Sequence, residues 1–345
     1  MKKGVSQLTR LRHPVILTVE YPLEESRDCL AFATEPVLAS LSNLIIQENI
    51  SSSVPSHILN YNLEPLEIKY GLLQVAEGLT FLHNSARLLH RNICLESITV
   101  NCQGAWKISG FEYSLAGKQG VPGPLTWEPP EYDQSQPAES YPHLDYSSPE
   151  FGMQTGTVSP AADMFSYGML AYTVHNKKTL YQTNRNWSAY KRHALDLRTI
   201  PDTKLKNIPV ELMESVKMLV SRSAELRPTP EEVQQLKYFQ DIGVQTLQKL
   251  DSQFQLDNLQ KSQFYKSLLT ILPQLPTRVL VLRVYPCLAK EFVNATMVPF
   301  LLPAVFNIIE RSSKEEFVDS ILQSLKPVMK LTEPVQILLI FMQEC

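Results

Sequence analysis

Paired cysteines are missing from this sequence. Its five cysteines, Cys29, Cys94, Cys102, Cys287 and Cys345, are odd in number, scattered and never spaced as Cys-x-x-Cys. That pattern excludes a disulfide framework and a thiolate zinc site, and leaves reduced thiols that act as small buried hydrophobes. An excess of one charge is missing as well. The 32 basic and 35 acidic residues give a net charge of -3, and no basic stripe runs along the chain. The overall charge therefore gives no electrostatic reason to expect contact with nucleic acid or with an anionic membrane. Long apolar runs are also lacking. The start, Met1-Lys2-Lys3-Gly4, passes into Ser6 and Gln7 without the apolar core of a signal peptide. The apolar stretches near the C-terminus are broken by Pro286, Pro299, Pro303 and Pro327, so no transmembrane segment is expected. These exclusions lead us to expect a cytoplasmic protein that reaches membranes only through partners.

The chain does have length for two domains, with 345 residues of which 44% are hydrophobic, enough to bury a core. Residues 5–12 read as the end of a helix stopped by His13-Pro14. Ile16 to Glu20 and Cys29 to Thr34 read as strands joined by the charged turn Glu24-Glu25-Ser26-Arg27-Asp28. Val37, Leu38, Leu41, Leu44 and Ile45 have helical spacing, and the polar Ser51-Ser52-Ser53 reads as a loop. Glu64 to Ala86 reads as an amphipathic helix with Leu72, Leu73, Val75, Ala76, Leu79 and Leu82 on its apolar face. Ile98 to Val100 and Ala105 to Ile108 flank Asn101-Cys102-Gln103-Gly104 as a hairpin. From Gly117 to Pro149 proline, serine and glycine predict a long irregular surface loop. Ala161 to Val174 reads as a buried helix, with further helices near Val210 to Ser221 and Pro230 to Lys237. Beyond about Asn258, helices alternate with recurrent proline, as at Pro273, Pro286, Pro303 and Pro327. This spacing favours a helical solenoid of HEAT or armadillo type over a plain helical bundle.

Several short motifs follow one another at regular intervals. They are His90-Arg91-Asn92, Ser109-Gly110-Phe111-Glu112, Ser148-Pro149-Glu150, Asp163-Met164-Phe165-Ser166-Tyr167-Gly168 and Arg227-Pro228. Each alone is weak. In this order, with the helix before them, they resemble the C-terminal lobe of a protein kinase. The wording of Leu8-Thr9-Arg10-Leu11-Arg12-His13-Pro14, of residues 22–32 and of residues 257–264 is similar to the SCY1-like pseudokinases, in particular their clathrin-coated-vesicle-associated branch. The resemblance spans nearly the whole chain. It implies an α+β kinase-like fold with a truncated N-lobe and a mainly helical C-lobe, followed by a HEAT or armadillo-type segment. The expected divisions are an N-lobe remnant and hinge at 1–60, a C-lobe at 61–242, a linker at 243–257 and the first helical repeats at 258–345. No glycine-rich phosphate loop or Val-Ala-Ile-Lys-like strand is present. Relative to the family the chain reads as shortened at both ends.

The resemblance also implies what is lost. Asn92 stands where kinases carry the catalytic aspartate, and an amide cannot act as a base. Gly110 replaces the metal-binding aspartate and Ser97 the second metal ligand, so neither magnesium carboxylate nor amide oxygen remains. Cys94 occupies the place of a phosphate-contacting lysine. Glu96 and Glu112 remain nearby, and read more simply as solvated carboxylates than as an unusual metal site. No metal and no catalytic residue are therefore expected. The hinge-like Thr34-Glu35-Pro36-Val37 offers backbone at Glu35 and Val37 to an adenine edge, so weak, metal-independent ATP binding is the one cofactor expectation. The residues kept by resemblance are structural. His90 and Phe111 belong to a packed column, and Asp163 holds the catalytic-loop backbone. Glu150 and Arg227 form a buried ion pair, against the simpler reading of two exposed charges. Arg91 is expected to pair with a carboxylate.

By resemblance the expected function is a catalytically deficient scaffold whose partners are proteins, namely clathrin and its adaptor complexes. The expected places are coated vesicles, the trans-Golgi network and endosomes. In this family such binding is expected mainly beyond the repeats. Two alternatives stay open: an atypical kinase with residual phosphotransfer, and an adaptor in coatomer transport or tRNA export.

Overall fold

A computed structural model gives the fold and describes residues 2–46, 55, 58, 60–119, 125–133, 135–153, 158–197 and 200–331. The expected Ser51-Ser52-Ser53 loop, Pro122, Pro124 and the apolar run 337–342 lie outside the described residues. The chain divides into two compact units, one of Met1–Leu63 with Gly71–Phe239, the other of Glu64–Tyr70 with Gln240–Cys345.

The first unit opens with helix α1 (Lys2–Arg10) and the antiparallel hairpin β1 (Val19–Glu25) and β2 (Leu30–Thr34). The Ser26 N–H closes the turn on the Cys29 carbonyl at 2.9 Å. The helical spacing read over Val37 to Ile45 is only half helix. Val37–Ser40 forms strand β3, and helix α2 (Leu41–Ile45) starts where the Ser40 hydroxyl caps the Asn43 N–H. Pairing with a neighbouring strand overrides the local period there, as short apolar runs permit. Helix α3 (Pro65–Thr80) runs into a π-turn at Phe81–Ser85. The spacing predicts an amphipathic helix, yet every residue of 70–76 is buried. The helix is enclosed on all sides over that span, and its Gln74 side chain is satisfied by the Trp106 N–H at 3.0 Å.

Strands β4 (Leu88–Leu89), β5 (Ile98–Asn101), β6 (Trp106–Ile108) and β7 (Leu115–Ala116) follow. The order β3-β5-β6 makes a three-stranded antiparallel sheet, and β4 pairs with β7. The β5–β6 turn uses Gly104 at φ +74°, a left-handed conformation that suits glycine. The Asn101 side chain accepts from the Gln103 and Ala105 N–H groups there.

The proline-rich stretch from 117 to 149 is not a free loop. It contains the ladder β8 (Lys118–Gln119) with β9 (Leu125–Thr126), and a bridge joins Trp127 to Val158. Its aromatics are the reason. Tyr141, Phe151, Trp187 and Tyr190 are buried together, and Tyr132 stacks on Trp187 with ring centroids 3.8 Å apart. Proline forbids long ladders but does not stop large rings from docking. Helices α4 (Pro149–Met153), α5 (Ala161–Asn176), α6 (Trp187–Asp196), α7 (Val210–Leu219) and α8 (Pro230–Gln234) complete the unit. Helix α5 is its axis, buried continuously from Ala162 to Val174.

The second unit is helical among its described residues. Helices α9 (Ile242–Asp251) and α10 (Asn258–Ile271) each start on an aspartate cap, Asp241 and Asp257. A helix over 277–290 contains a π-turn at Leu280–Val284, and helix Val298–Arg311 packs on α10. Of the four recurrent prolines only Pro273 separates helices as the sequence suggests, in the turn Leu272–Gln274. Pro286, Pro303 and Pro327 all lie inside helices, and the wider turn just before Pro286 accommodates its ring. Glu67 is bidentate to Arg278, and Asp251 accepts from both Tyr70 and Arg283. Among the described residues no helix is long and apolar enough to cross a membrane.

At the end of α5, burial pulls the His175 imidazole from its ordinary 6.5 down to about 4. The folded state therefore binds fewer protons than the unfolded chain between those values. The stability this group confers is full above pH 6.5 and falls as the pH drops towards 4, by about 3 kcal/mol in all. In urea denaturation followed between pH 7 and 4, His175→Gln is expected to flatten that part of the slope.

Candidate functional site

The segment that carries the degenerate motif is held by one buried carboxylate. Asp163, in the first turn of α5, is fully buried. Its Oδ2 accepts from the His90 N–H at 2.8 Å and its Oδ1 from the Arg91 N–H at 2.7 Å. The His83 Nε2 lies 3.0 Å from Oδ2. Burial alone would push the Asp163 carboxyl up, but the His83 hydrogen bond and the neighbouring N–H donors outweigh it and hold the group below its usual range. These bonds fix Arg91 at φ +65°, a left-handed turn uncommon for any residue but glycine.

His90 is fully buried and packs edge-on to Phe111, with ring centroids 4.6 Å apart. Its Nδ1 accepts from the Asn92 N–H at 3.2 Å, and its Nε2 faces the Ser109 carbonyl at 2.7 Å. A carbonyl only accepts, so Nε2 carries the proton and the ring is neutral. Burial lowers its pKa in the same direction.

The three degenerate positions are each occupied internally. The Asn92 Oδ1 accepts from the His143 N–H at 2.9 Å, which ties the loop to the proline-rich segment. The buried Ser97 hydroxyl donates to the Cys94 carbonyl and accepts from the Cys94 N–H, both at 3.1 Å. Gly110 sits at φ +74°, and a Cβ there would lie 2.9 Å from the Ser97 Cβ. The position is thus closed to a side chain on two counts, conformation and space. Burial pushes the Cys94 thiol up to about 12, so it stays protonated and unreactive. The carboxylate of Glu112 fills the space beside Gly4 of α1, where an added Cβ would meet it at 2.9 Å. Glu96 is half exposed, 3.9 Å from the His143 ring. Among the described residues no three His, Cys, Asp or Glu side chains gather into a metal site.

Magnesium nucleotide, which a kinase-like fold implies, does not fit this donor set. A hard cation needs charged or strongly polar oxygens, and the positions for them hold an amide already bonded, a hydroxyl already bonded and a hydrogen atom. The hinge is committed as well. The Glu35 N–H donates to the Thr18 carbonyl at 2.9 Å, the Glu35 carbonyl accepts from the Thr34 hydroxyl at 3.0 Å, and the Pro36 carbonyl accepts from the Cys102 N–H. The Glu35 carboxylate accepts from Thr18 and Asn101 and lies 3.3 Å from Lys107. Val37 is part of β3.

Glu150 and Arg227 lie together, with Nη1–Oε1 at 2.6 Å and Nη2–Oε2 at 3.0 Å. The remaining guanidinium donors reach the carbonyls of Ser221, Ala161 and Arg222, so all five N–H bonds are used. The Arg91 side chain behaves otherwise than expected. It has no carboxylate within ion-pair distance among the described residues, and instead reaches the Tyr113 carbonyl and lies over the Phe151 ring. That ring and carbonyl replace the missing anion. The sequence reading did not single out His83 and His143. His83 could have been noticed as a lone polar ring at the end of an apolar helix, whereas nothing in the proline-rich stretch marks His143. Glu150→Ala leaves the Arg227 charge buried and alone, and is expected to destabilise the first unit by about 3–5 kcal/mol in urea denaturation.

The sequence profile of the protein kinase domain matches residues 2–239. Human SCY1-like protein 2 is 46% identical over 348 residues, which cover 100% of this chain and 37% of that protein. A Dictyostelium discoideum sequence described as "Probable inactive serine/threonine-protein kinase scy1" is 25% identical over 94% of this chain and 35% of its own length. The chain thus spans little more than a third of these relatives. The crystal structure of the yeast RNA polymerase II CTD kinase CTDK-1 complex superposes with a TM-score of 0.53 at 17% identity, covering 69% of this chain and 80% of that one. That likeness concerns the fold. The profile match and the full-length similarity together place this chain in the protein kinase domain family, among its SCY1-like members.

Proposed function

We propose that this chain is a catalytically deficient kinase-like scaffold that serves clathrin-linked vesicle traffic between the trans-Golgi network and endosomes. The observation that carries the first part is the internal occupation of Asn92, Ser97 and Gly110. A general base, a metal carboxylate and a second metal ligand are absent together, and losing the base alone costs on the order of 10²–10⁴ in rate. The name of the Dictyostelium relative agrees with this reading. In it, His90, Phe111, Asp163, Glu150 and Arg227 keep the shape, and because the hinge at Glu35 and Val37 is already engaged within the fold, any ATP binding there is weak and independent of metal.

The trafficking part rests on the resemblance to SCY1-like members. It includes a division into an N-lobe remnant at 1–60, a C-lobe at 61–242, a linker at 243–257 and HEAT-type repeats from 258. The stacking of α10 on helix Val298–Arg311 supports a repeat, since solenoids build extended protein-binding faces. Clathrin and its adaptor complexes are the proposed partners, recruited mainly through a region beyond this chain, and peripheral association with coated vesicles follows.

Two measurements test this. In thermal-shift titration, magnesium is expected to add nothing to any stabilisation by millimolar ATP. The double variant Asn92→Asp with Gly110→Asp is expected to remain inactive in phosphate incorporation and to melt below the parent, because the Cβ at 110 meets Ser97. Magnesium-dependent stabilisation, or incorporation that survives removal of co-purifying kinases, would sink the proposal. Pull-down of coat proteins from cytosol, with this chain and with one extended towards the C-terminus, is expected to enrich clathrin only with the longer chain.

A further inference from the structure

The first unit carries a cleft of about 760 Å³ far along the sequence from the degenerate motif. Its walls are the last turns of α5 with Tyr172 and Asn176, the connection through Lys178 and Tyr181, His193 of α6, and the segment with Lys204 and Lys206. Its charge is one-sided. Lys178, Lys204 and Lys206 line it, and no aspartate or glutamate does. Among the described residues these lysines form no ion pair and no side-chain hydrogen bond, whereas the adjacent Asp202 is already neutralised by Lys217 at 2.8 Å. Three exposed lysines bordering one concavity give it a positive local potential that favours a bound anion.

The lining also shapes how an anion would be held. No arginine is present, so the planar two-point recognition that fits carboxylates and phosphates alike has no partner here. Lysines act as compact point charges that suit phosphate oxygens. Between them lie neutral amides, with the Asn207 Nδ2 donating to the Asn176 Oδ1 at 3.3 Å, and the Tyr181 ring lies against His193 at 5.2 Å between centroids. The cleft is of the size that holds a small molecule rather than a single ion. We propose that it binds a compact polyphosphorylated ligand, with phosphates at Lys178, Lys204 and Lys206 and its ring or polyol frame against Tyr172 and Tyr181. The ligand's source is either a free small molecule or the head group of a phosphorylated lipid.

Inositol hexakisphosphate and vesicles carrying a polyphosphorylated inositol lipid are the probes. Isothermal titration of the whole chain with the soluble probe is expected to saturate at one site. Changing Lys178, Lys204 and Lys206 to glutamate should weaken binding at least tenfold. The same charge change at Arg10, Arg12 and Arg27, none of which lines the cleft, should leave binding within twofold. A glutamine triple serves if the glutamate triple melts early. Vesicle flotation separates the sources. Retention by the phosphorylated lipid but not by phosphatidylserine of equal charge assigns a head group, while binding of the soluble probe alone assigns a free ligand. Absence of saturable binding to both probes, or equal losses in the two triple variants, overturns the proposal.

Discussion

The kinase-like unit depends on a single uncompensated-looking charge, the carboxylate of Asp163. It is fully buried, and a bare carboxylate there would be intolerable. Two consecutive backbone N–H groups and the His83 ring supply what water would. Because its donors come from two places in the chain, the same group fastens α5 both to the end of α3 and to the loop that follows β4. The strained Arg91 backbone and the neutral His90 ring are consequences of that fastening. So is the position of Asn92, whose N–H is oriented by His90 and whose amide oxygen is closed by His143. A charge that holds the architecture thus lies beside the neutral amide of Asn92.

Arg227 repeats the logic at the start of α5, where it donates to the Ala161 carbonyl. A guanidinium with every donor used and a carboxylate gripping it from α4 is strongly oriented, even though replacing both partners by apolar groups need not cost stability. Its value is positional. It fixes α4, and with it the aromatic cluster of Tyr132, Tyr141, Phe151, Trp187 and Tyr190 that anchors the proline-rich segment. Tyr190 ties the two together, donating to the Ser148 carbonyl and accepting from the Gly152 N–H.

Much of this was legible in the sequence where local pattern and long-range packing agree. The buried helix at Ala161 to Val174, the hairpin turn at Asn101 to Gly104 and the strands beside it are examples. The motif positions were legible for a different reason, since resemblance to the kinase C-terminal lobe marked His90, Asp163, Glu150 and Arg227 as structural residues. Three things were not. The split of Val37 to Ile45 into strand and helix depends on pairing with β5, sixty residues away. The order in the proline-rich stretch depends on Trp187 and Tyr190, which lie outside it. The placement of Pro286, Pro303 and Pro327 inside helices depends on how neighbouring turns adjust, which a one-dimensional pattern does not encode.

The thiol of Cys94 has one further consequence. Burial keeps this sulfur protonated and shields it from solvent, so thiol-directed reagents are not expected to reach it in the folded protein. Among the described cysteines, Cys29 and Cys102 are the exposed ones that such reagents would meet first.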